Sequence, residues 1–223
     1  MDALELFAGR RSIGTVAERY GYNVFSVDWK RFKKIDLVTD IEFLTPEQIP
    51  FIPDYFHASP DCTTYSVAAL GIHRDFTEPK TEQAKKADRV TMNTIGLLKH
   101  YLKVNPSMKF TIENPRGILR TMPFMKGIDR VTVWYCRYGS KVAKPTDIWS
   151  NNIRNLFNPD GWNPRAKCYN GNKNCHHIKA PRGMKTGVQG MNDAETRSVI
   201  PEKLCVEIIE SIVRVQSLEK IIH

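Results

Sequence analysis

An open α/β fold, a mostly parallel sheet with helices on both faces, is the architecture that this 223-residue sequence predicts. Three observations predict it. The chain opens on a strand, turn, helix and second strand in immediate succession; strand-like and helix-like segments then alternate; and 223 residues are enough to bury a central sheet on both faces.

The elements read in order as follows. Residues 2–7 form a buried strand, residues 9–12 a turn, and residues 13–20 a helix stopped by Gly21. Residues 23–27 form a second strand ending at Asp28-Trp29. Further strands are expected at 55–58, 109–112 and 130–138. Between them, residues 81–103 have helical periodicity, with Ala84, Ala87, Val90, Thr94, Leu97, Leu98 and Tyr101 on or near one face. From 150 to 185 apolar periodicity disappears and Asn, Gly, Pro, Lys and Arg dominate, which predicts a loop-rich insert. Residues 201–222 return to helix, with Pro201 as a first-turn residue, and close the core beside the first strand. The expected organisation is a core at 1–149, an insert at 150–185, and a C-terminal segment at 186–223 that returns to the core.

Composition narrows the classes of function. With 41% hydrophobic and 26% charged residues the chain is globular, and no apolar run approaches the roughly eighteen residues of a membrane span. A net charge of +9 suits a partner with a phosphate backbone. Five cysteines, an odd count without a signal peptide, predict a reducing, cytoplasmic location with thiols used for chemistry or metal.

Three local patterns carry chemistry. Gly9 follows a buried strand, where the absence of a Cβ lets the backbone approach a ligand, and Asp28 ends the next strand, placed to accept from ribose hydroxyls with Trp29 beside it to cover an adenine. The run Phe7-Ala8-Gly9-Arg10-Arg11-Ser12-Ile13-Gly14 is not the dinucleotide Gly-x-Gly-x-x-Gly, which disfavours a dehydrogenase. Cys62, in Ser59-Pro60-Asp61-Cys62-Thr63-Thr64-Tyr65-Ser66, and Glu113, in Ile112-Glu113-Asn114-Pro115, follow or end strands. A thiol and a carboxylate so placed are the pair needed to add to an electron-poor pyrimidine and protonate it.

In this order the motifs resemble the cytosine-5 DNA methyltransferase family, over residues 3 to about 210. The resemblance implies a Rossmann-like S-adenosylmethionine-dependent fold. It implies that Phe7, Ala8 and Gly9 surround the methionine part of S-adenosylmethionine, that Asp28 holds the ribose, that Trp29 stacks on adenine, and that Asp40-Ile41 contact the adenine. Cys62 and Glu113 match the family's Pro-Cys-Gln-x-Phe-Ser and Glu-Asn-Val motifs. Asn114 then fixes the loop, Ser59 and Pro60 shape the cysteine turn beside the cofactor, and Ser66 lies on the substrate side. The sequence departs from the family at Arg10, Arg11 and Ser12, at Asp61 and Thr63, and at Val142, Lys144 and Thr146, which stand where the family has Gln-x-Arg-x-Arg. Asp61 beside the sulfur is expected to raise the thiol pKa if it faces it. Lys144 is the donor left for the base or a phosphate. Gly187-Val188-Gln189-Gly190 and Arg197-Ser198-Val199-Ile200-Pro201 resemble the last two motifs.

The implied substrate is DNA, read with short or relaxed specificity because the insert is small, or with the help of a specificity-conferring partner protein. Such compactness suits a bacteriophage or mobile element modifying its own DNA, as in restriction-modification, within a bacterial or virus-infected cell. The same chemistry on RNA or a cytidine nucleotide, and a non-catalytic DNA-binding relative, are the competing readings. Cys136, Cys168, Cys175 and His176, the last preferred over His177, are candidate ligands for a structural zinc, although Cys-x6-Cys-His is not a standard finger spacing. Cys205 reads as core.

Overall fold

The computed structural model describes residues 1–178 and 194–222. Its centre is a seven-stranded sheet built from β1 (Asp2–Leu6), β2 (Asn23–Asp28), β3 (Leu37–Val38), β4 (Tyr55–Ala58), β7 (Lys109–Pro115), β8 (Arg130–Trp134) and β9 (Pro145–Ser150). A short separate hairpin supplies β5 (Arg74–Asp75) and β6 (Glu78–Pro79). The order is β3-β2-β1-β4-β7-β9-β8, parallel except for β9, which runs antiparallel to both neighbours. This is an open, doubly wound Rossmann-like arrangement. The chain moves outward from β1 to β2 and β3, then returns to β4 on the other side of β1, so the crevice beyond β1 and β4 is a topological switch point.

Side-chain alternation along the strands sets the two faces. Leu4, Leu6, Phe56 and Ile112 pack with Leu97, Leu98 and Tyr101 of α2 (Glu82–Val104). Ala3 and Tyr55 point the other way, into Ile13, Val16 and Ala17 of α1 (Ser12–Arg19) and Leu204, Ile208, Ile209 and Ile212 of α4 (Glu202–Ile222). Helix α2 starts at Thr81, whose hydroxyl accepts from the Ala84 amide at 3.2 Å, a cap worth about 1 kcal/mol. A short α3 (Ala194–Ser198) precedes α4.

The expected strand at 130–138 stops at Trp134. Its partner there is Pro145, which has no N–H to continue the ladder, and Tyr135–Tyr138 instead form a 3-10 turn closed by Gly139 at φ +93°. The pair of residues in β3, the hairpin, and β9 were not expected. Strand β9 lies across the junction where loop character was expected to begin, and Ser150 is its last residue. Among the described residues, 151–178 contain no helix or named strand, only a bridge between Ile153 and Trp162. No helix among the described residues is long and apolar enough to cross a membrane.

Candidate active site

The loop after β1 turns sharply by placing Phe7 (φ 56°), Gly9 (φ 48°) and Arg11 (φ 57°) in the left-handed region. A side chain at Gly9 would be strained by that conformation, and the nearest atom to its missing Cβ is Phe7 O at 4.0 Å, so the space beside it is open. The Gly9 amide donates to Asp28 Oδ2 at 2.9 Å and the Lys30 amide to Oδ1 at 2.9 Å, which fixes the carboxylate at the end of β2. Burial pushes the Asp28 pKa upward against those two bonds. Trp29, beside it, is 68% exposed and offers an open ring face.

The departures at residues 10–12 have a structural use. Arg11 is buried behind the loop, where its Nε donates to Ser26 Oγ at 2.8 Å and its Nη2 to Glu18 Oε1 at 2.7 Å. Ser12 Oγ accepts from the Ile200 amide at 3.2 Å, which ties the loop to the segment before α4. Gly14 is required for close approach: its amide donates to Glu5 Oε1 at 2.8 Å, and a Cβ there would lie 2.3 Å from Glu5 Oε2.

The cysteine loop leaves β4 through Ser59 and Pro60. His57, buried in β4, contacts Thr111 Oγ1 at 2.8 Å and Ser59 Oγ at 3.0 Å, and burial lowers its pKa to about 3, so the ring is neutral. Cys62 begins a 3-10 turn over Thr63–Tyr65. Beneath that turn Arg74 is completely buried: it donates to Thr64 O at 2.9 Å and Ala84 O at 3.2 Å, and pairs with Asp88 at 2.6 Å. Asp61 Oδ1 accepts from the Thr63 amide at 3.1 Å and hydroxyl at 2.7 Å.

The carboxylate loop is pinned to the cysteine loop at two points. Asn114 Nδ2 donates to Pro60 O at 2.7 Å. Gly117 passes so close to Tyr65 that a Cβ would stand 2.2 Å from its carbonyl oxygen. Glu113 Oε1 accepts from Tyr135 Oη at 2.6 Å and lies 3.9 Å from Lys144 Nζ, and no described residue hydrogen-bonds to Oε2. Lys144 is buried, crosses the Tyr135 ring at 4.6 Å, and donates to Arg197 O at 2.7 Å. The Cys62 thiol is pushed up to about 11, by burial first and by the Asp61 charge next, against a downward pull from Lys144.

These loops enclose one cleft of about 740 Å³ at the C-terminal ends of β1, β4 and β7. It brings together Phe7, Ala8, Gly9, Asp28, Trp29, Ser59, Pro60, Cys62, Ser66, Glu113 and Lys144 from the expected set. Asn114 sits behind it as the clamp on Pro60. Asp40 and Ile41 do not line it: Asp40 caps the 3-10 turn Ile41–Phe43 through the Glu42 amide and pairs with Lys86 at 2.6 Å, and Ile41 is buried in the α2-side core. Glu5, His57, Arg116 and Arg197 also line the cleft, and Tyr135 holds Glu113; sequence reasoning singled out none of the five for a site role. An acid inside a strand run, as Glu5 is, was the available signal. The Gly187–Gly190 motif lies outside the described residues.

A second cluster lies at the turn after β8. Cys136, Cys168 and Cys175 come together with His177, a set that could hold a metal ion. His176 is not in it, because its Nε2 faces Ser140 O at 3.0 Å.

The sheet and its cleft thus define a Rossmann-like α/β fold with a ligand-sized crevice at its switch point. Among solved structures that are similar to it are a putative DNA modification methyltransferase encoded within an E. coli prophage (13% identity, TM-score 0.47), the Entamoeba histolytica methyltransferase EhMeth (16%, 0.49) and the S. pombe Dnmt2 methyltransferase (15%, 0.47). Each alignment covers 67% of this chain and 46%, 52% and 48% of the respective neighbour, so the chain spans about half their length. No protein-family model and no curated protein sequence matches the chain.

Proposed function

We propose that the chain transfers a methyl group from S-adenosylmethionine to carbon 5 of cytosine in DNA through a covalent adduct with Cys62. One observation carries the reading: the thiol, the Glu113–Lys144 pair and the Gly9–Asp28 cradle face one cleft at the switch point of the sheet. The cradle suits the cofactor. It pairs an open glycine turn with a backbone-held acceptor for ribose hydroxyls and an exposed indole face for adenine. When bound, the cofactor supplies an electrophilic methyl group.

The chain's own groups do the rest. The Cys62 thiolate adds to carbon 6 of the base, and the electron pair displaced from the ring's double bond makes carbon 5 nucleophilic. Glu113 holds a proton at ring nitrogen 3 during that addition, with Tyr135 fixing its Oε1. After carbon 5 takes the methyl group, a water molecule in the cleft takes up the carbon 5 proton, the double bond reforms and the thiolate leaves. Lys144 serves as counter-charge to both Glu113 and the thiolate. The basic residues Arg10, Lys30, Arg116 and Arg197 at the same cleft suit a polyanion, and they favour DNA over a free nucleotide. The short insert supports sparse base reading, either alone or with a specificity partner.

Transfer of labelled methyl to unmodified DNA, with RNA and deoxycytidine nucleotide in parallel and Cys62→Ala as control, tests this. Label recovered as 5-methylcytosine in DNA, and lost in the variant, is the expected result. Label in RNA or the nucleotide alone reassigns the substrate. Cofactor and DNA binding without transfer supports a second reading, a non-catalytic DNA-binding relative, which the raised Cys62 pKa favours.

A further inference from the structure

The segment 151–178 has no means of packing itself. It lacks regular elements among the described residues, and Leu156 and Phe157 are 94% and 98% exposed. Its second half is nevertheless held against the turn that follows β8. Arg165 Nη1 donates to Arg137 O at 2.8 Å, the Ile178 amide donates to Lys141 O at 2.8 Å, and Cys168 and Cys175 pack with Trp134, Cys136 and Ala143.

At the middle of that contact the ligand atoms of Cys136, Cys168, Cys175 and His177 all lie within 4.8 Å of one another. Cys168 Sγ is 3.8 Å from His177 Nδ1. A tetrahedral zinc with bonds of about 2.3 Å to sulfur and 2.0 Å to nitrogen has ligand–ligand edges of roughly 3.5–3.8 Å, so the group needs at most about an ångström of contraction. The three thiols are free rather than bridged. Asn172 Nδ2 donates to Cys168 Sγ at 3.5 Å, the outer-shell contact that a ligating thiolate uses. His177 is buried, its Nε2 has no partner among the described residues, and its Nδ1 faces sulfur. A metal at Nδ1 would replace that weak, long sulfur contact with a coordinate bond.

We propose that Cys136, Cys168, Cys175 and His177 bind one structural zinc ion. Three thiolates and an imidazole select zinc over the hard cations, and four protein ligands close the coordination sphere, which excludes a catalytic role. The ion would staple a loop-rich segment too small for its own core. It also ties that segment to the residue after Tyr135, the group that holds Glu113. The assignment rests on side-chain geometry and stands whether or not the chain transfers methyl groups.

The test is metal analysis of untagged protein expressed with zinc and dialysed. About one zinc per chain is expected, lost in Cys168→Ser and His177→Ala and kept in His176→Ala and Cys205→Ser. Should the ligand variants fail to fold, cobalt titration of chelator-stripped wild type decides. Thiolate-to-cobalt charge transfer with tetrahedral d–d bands, saturating at one equivalent, supports the site. Wild type without stoichiometric zinc or the cobalt bands, a disulfide among the three cysteines, or full metal retained by Cys168→Ser would overturn it.

Discussion

A Cys62 thiol pushed up to about 11 makes a quantitative demand on its reactivity. At a pH of about 7.5 the thiolate fraction is then roughly 3 in 10,000, against roughly 3 in 100 for a thiol at the ordinary value near 9, a deficit of about a hundredfold. Alkylation of Cys62 by iodoacetamide, resolved from the other cysteines by peptide mass spectrometry, should therefore rise about tenfold per pH unit from about 6.5 to 10 without levelling. Asp61→Asn is the perturbation of choice. It removes the charge yet leaves an oxygen to accept from the Thr63 amide and hydroxyl. A like charge beside a titrating group is worth on the order of half to one pH unit, so the variant should react roughly 3–10 times faster at neutral pH. Lys144→Met removes the opposing charge and should slow the reaction. A wild-type plateau below about pH 9, or an Asp61→Asn rate equal to wild type, would refute the account of the cleft's electrostatics.

Three further outcomes are expected. In the proposed reaction Glu113→Gln keeps an acceptor for Tyr135 but cannot supply the proton, and should lower the transfer rate by about 10²–10⁴ with cofactor binding preserved in calorimetry. Arg74→Ala strands Asp88 beneath the cysteine turn and should destabilise the fold by about 3–5 kcal/mol, measured by urea denaturation. Glu5 is raised from 4.5 to about 7, by burial first, so the folded chain holds that proton more tightly than the unfolded chain. The resulting stability is complete below about pH 4.5 and is lost as pH rises through about 7, some 3 kcal/mol at about 1.4 kcal/mol per pH unit. Glu5→Gln should flatten that slope in denaturant titrations at several pH values.

Strands β1, β2, β4 and β7 were legible because each carries a short cluster of aliphatic, aromatic or β-branched residues next to turn or strand-end signals, and α2 and α4 because their apolar stripes repeat over several turns. Strand β9 was not, because its pattern is broken by Asp147, an acid buried among Arg120, Arg130 and Thr132 that only the folded sheet brings near. The loop residues of the cleft were legible as motifs, since glycine, cysteine and acid at strand ends have few other uses. What sequence cannot carry is direction. Neighbouring histidines at 176 and 177 differ only in where they point, and Asp40, with a motif's spelling, spends its oxygens on the Glu42 amide and Lys86. Arg11 was visible as a departure, but its use as an internal brace depends on Ser26 and Glu18 arriving from other elements.

The contact of α4 with α1 has a consequence for how the chain matures. Tyr22 Oη donates to Gln216 Oε1 at 2.7 Å, Gln216 Nε2 donates to Asp54 O at 3.0 Å, and Lys109 pairs with Glu219, so elements made first are sealed by one made nearly two hundred residues later. Until α4 leaves the ribosome, Ile13, Val16 and Tyr55 lack their cover, and closing so long a loop makes this docking a late event. A nascent or prematurely terminated chain would present that apolar face to chaperones and to other copies of itself.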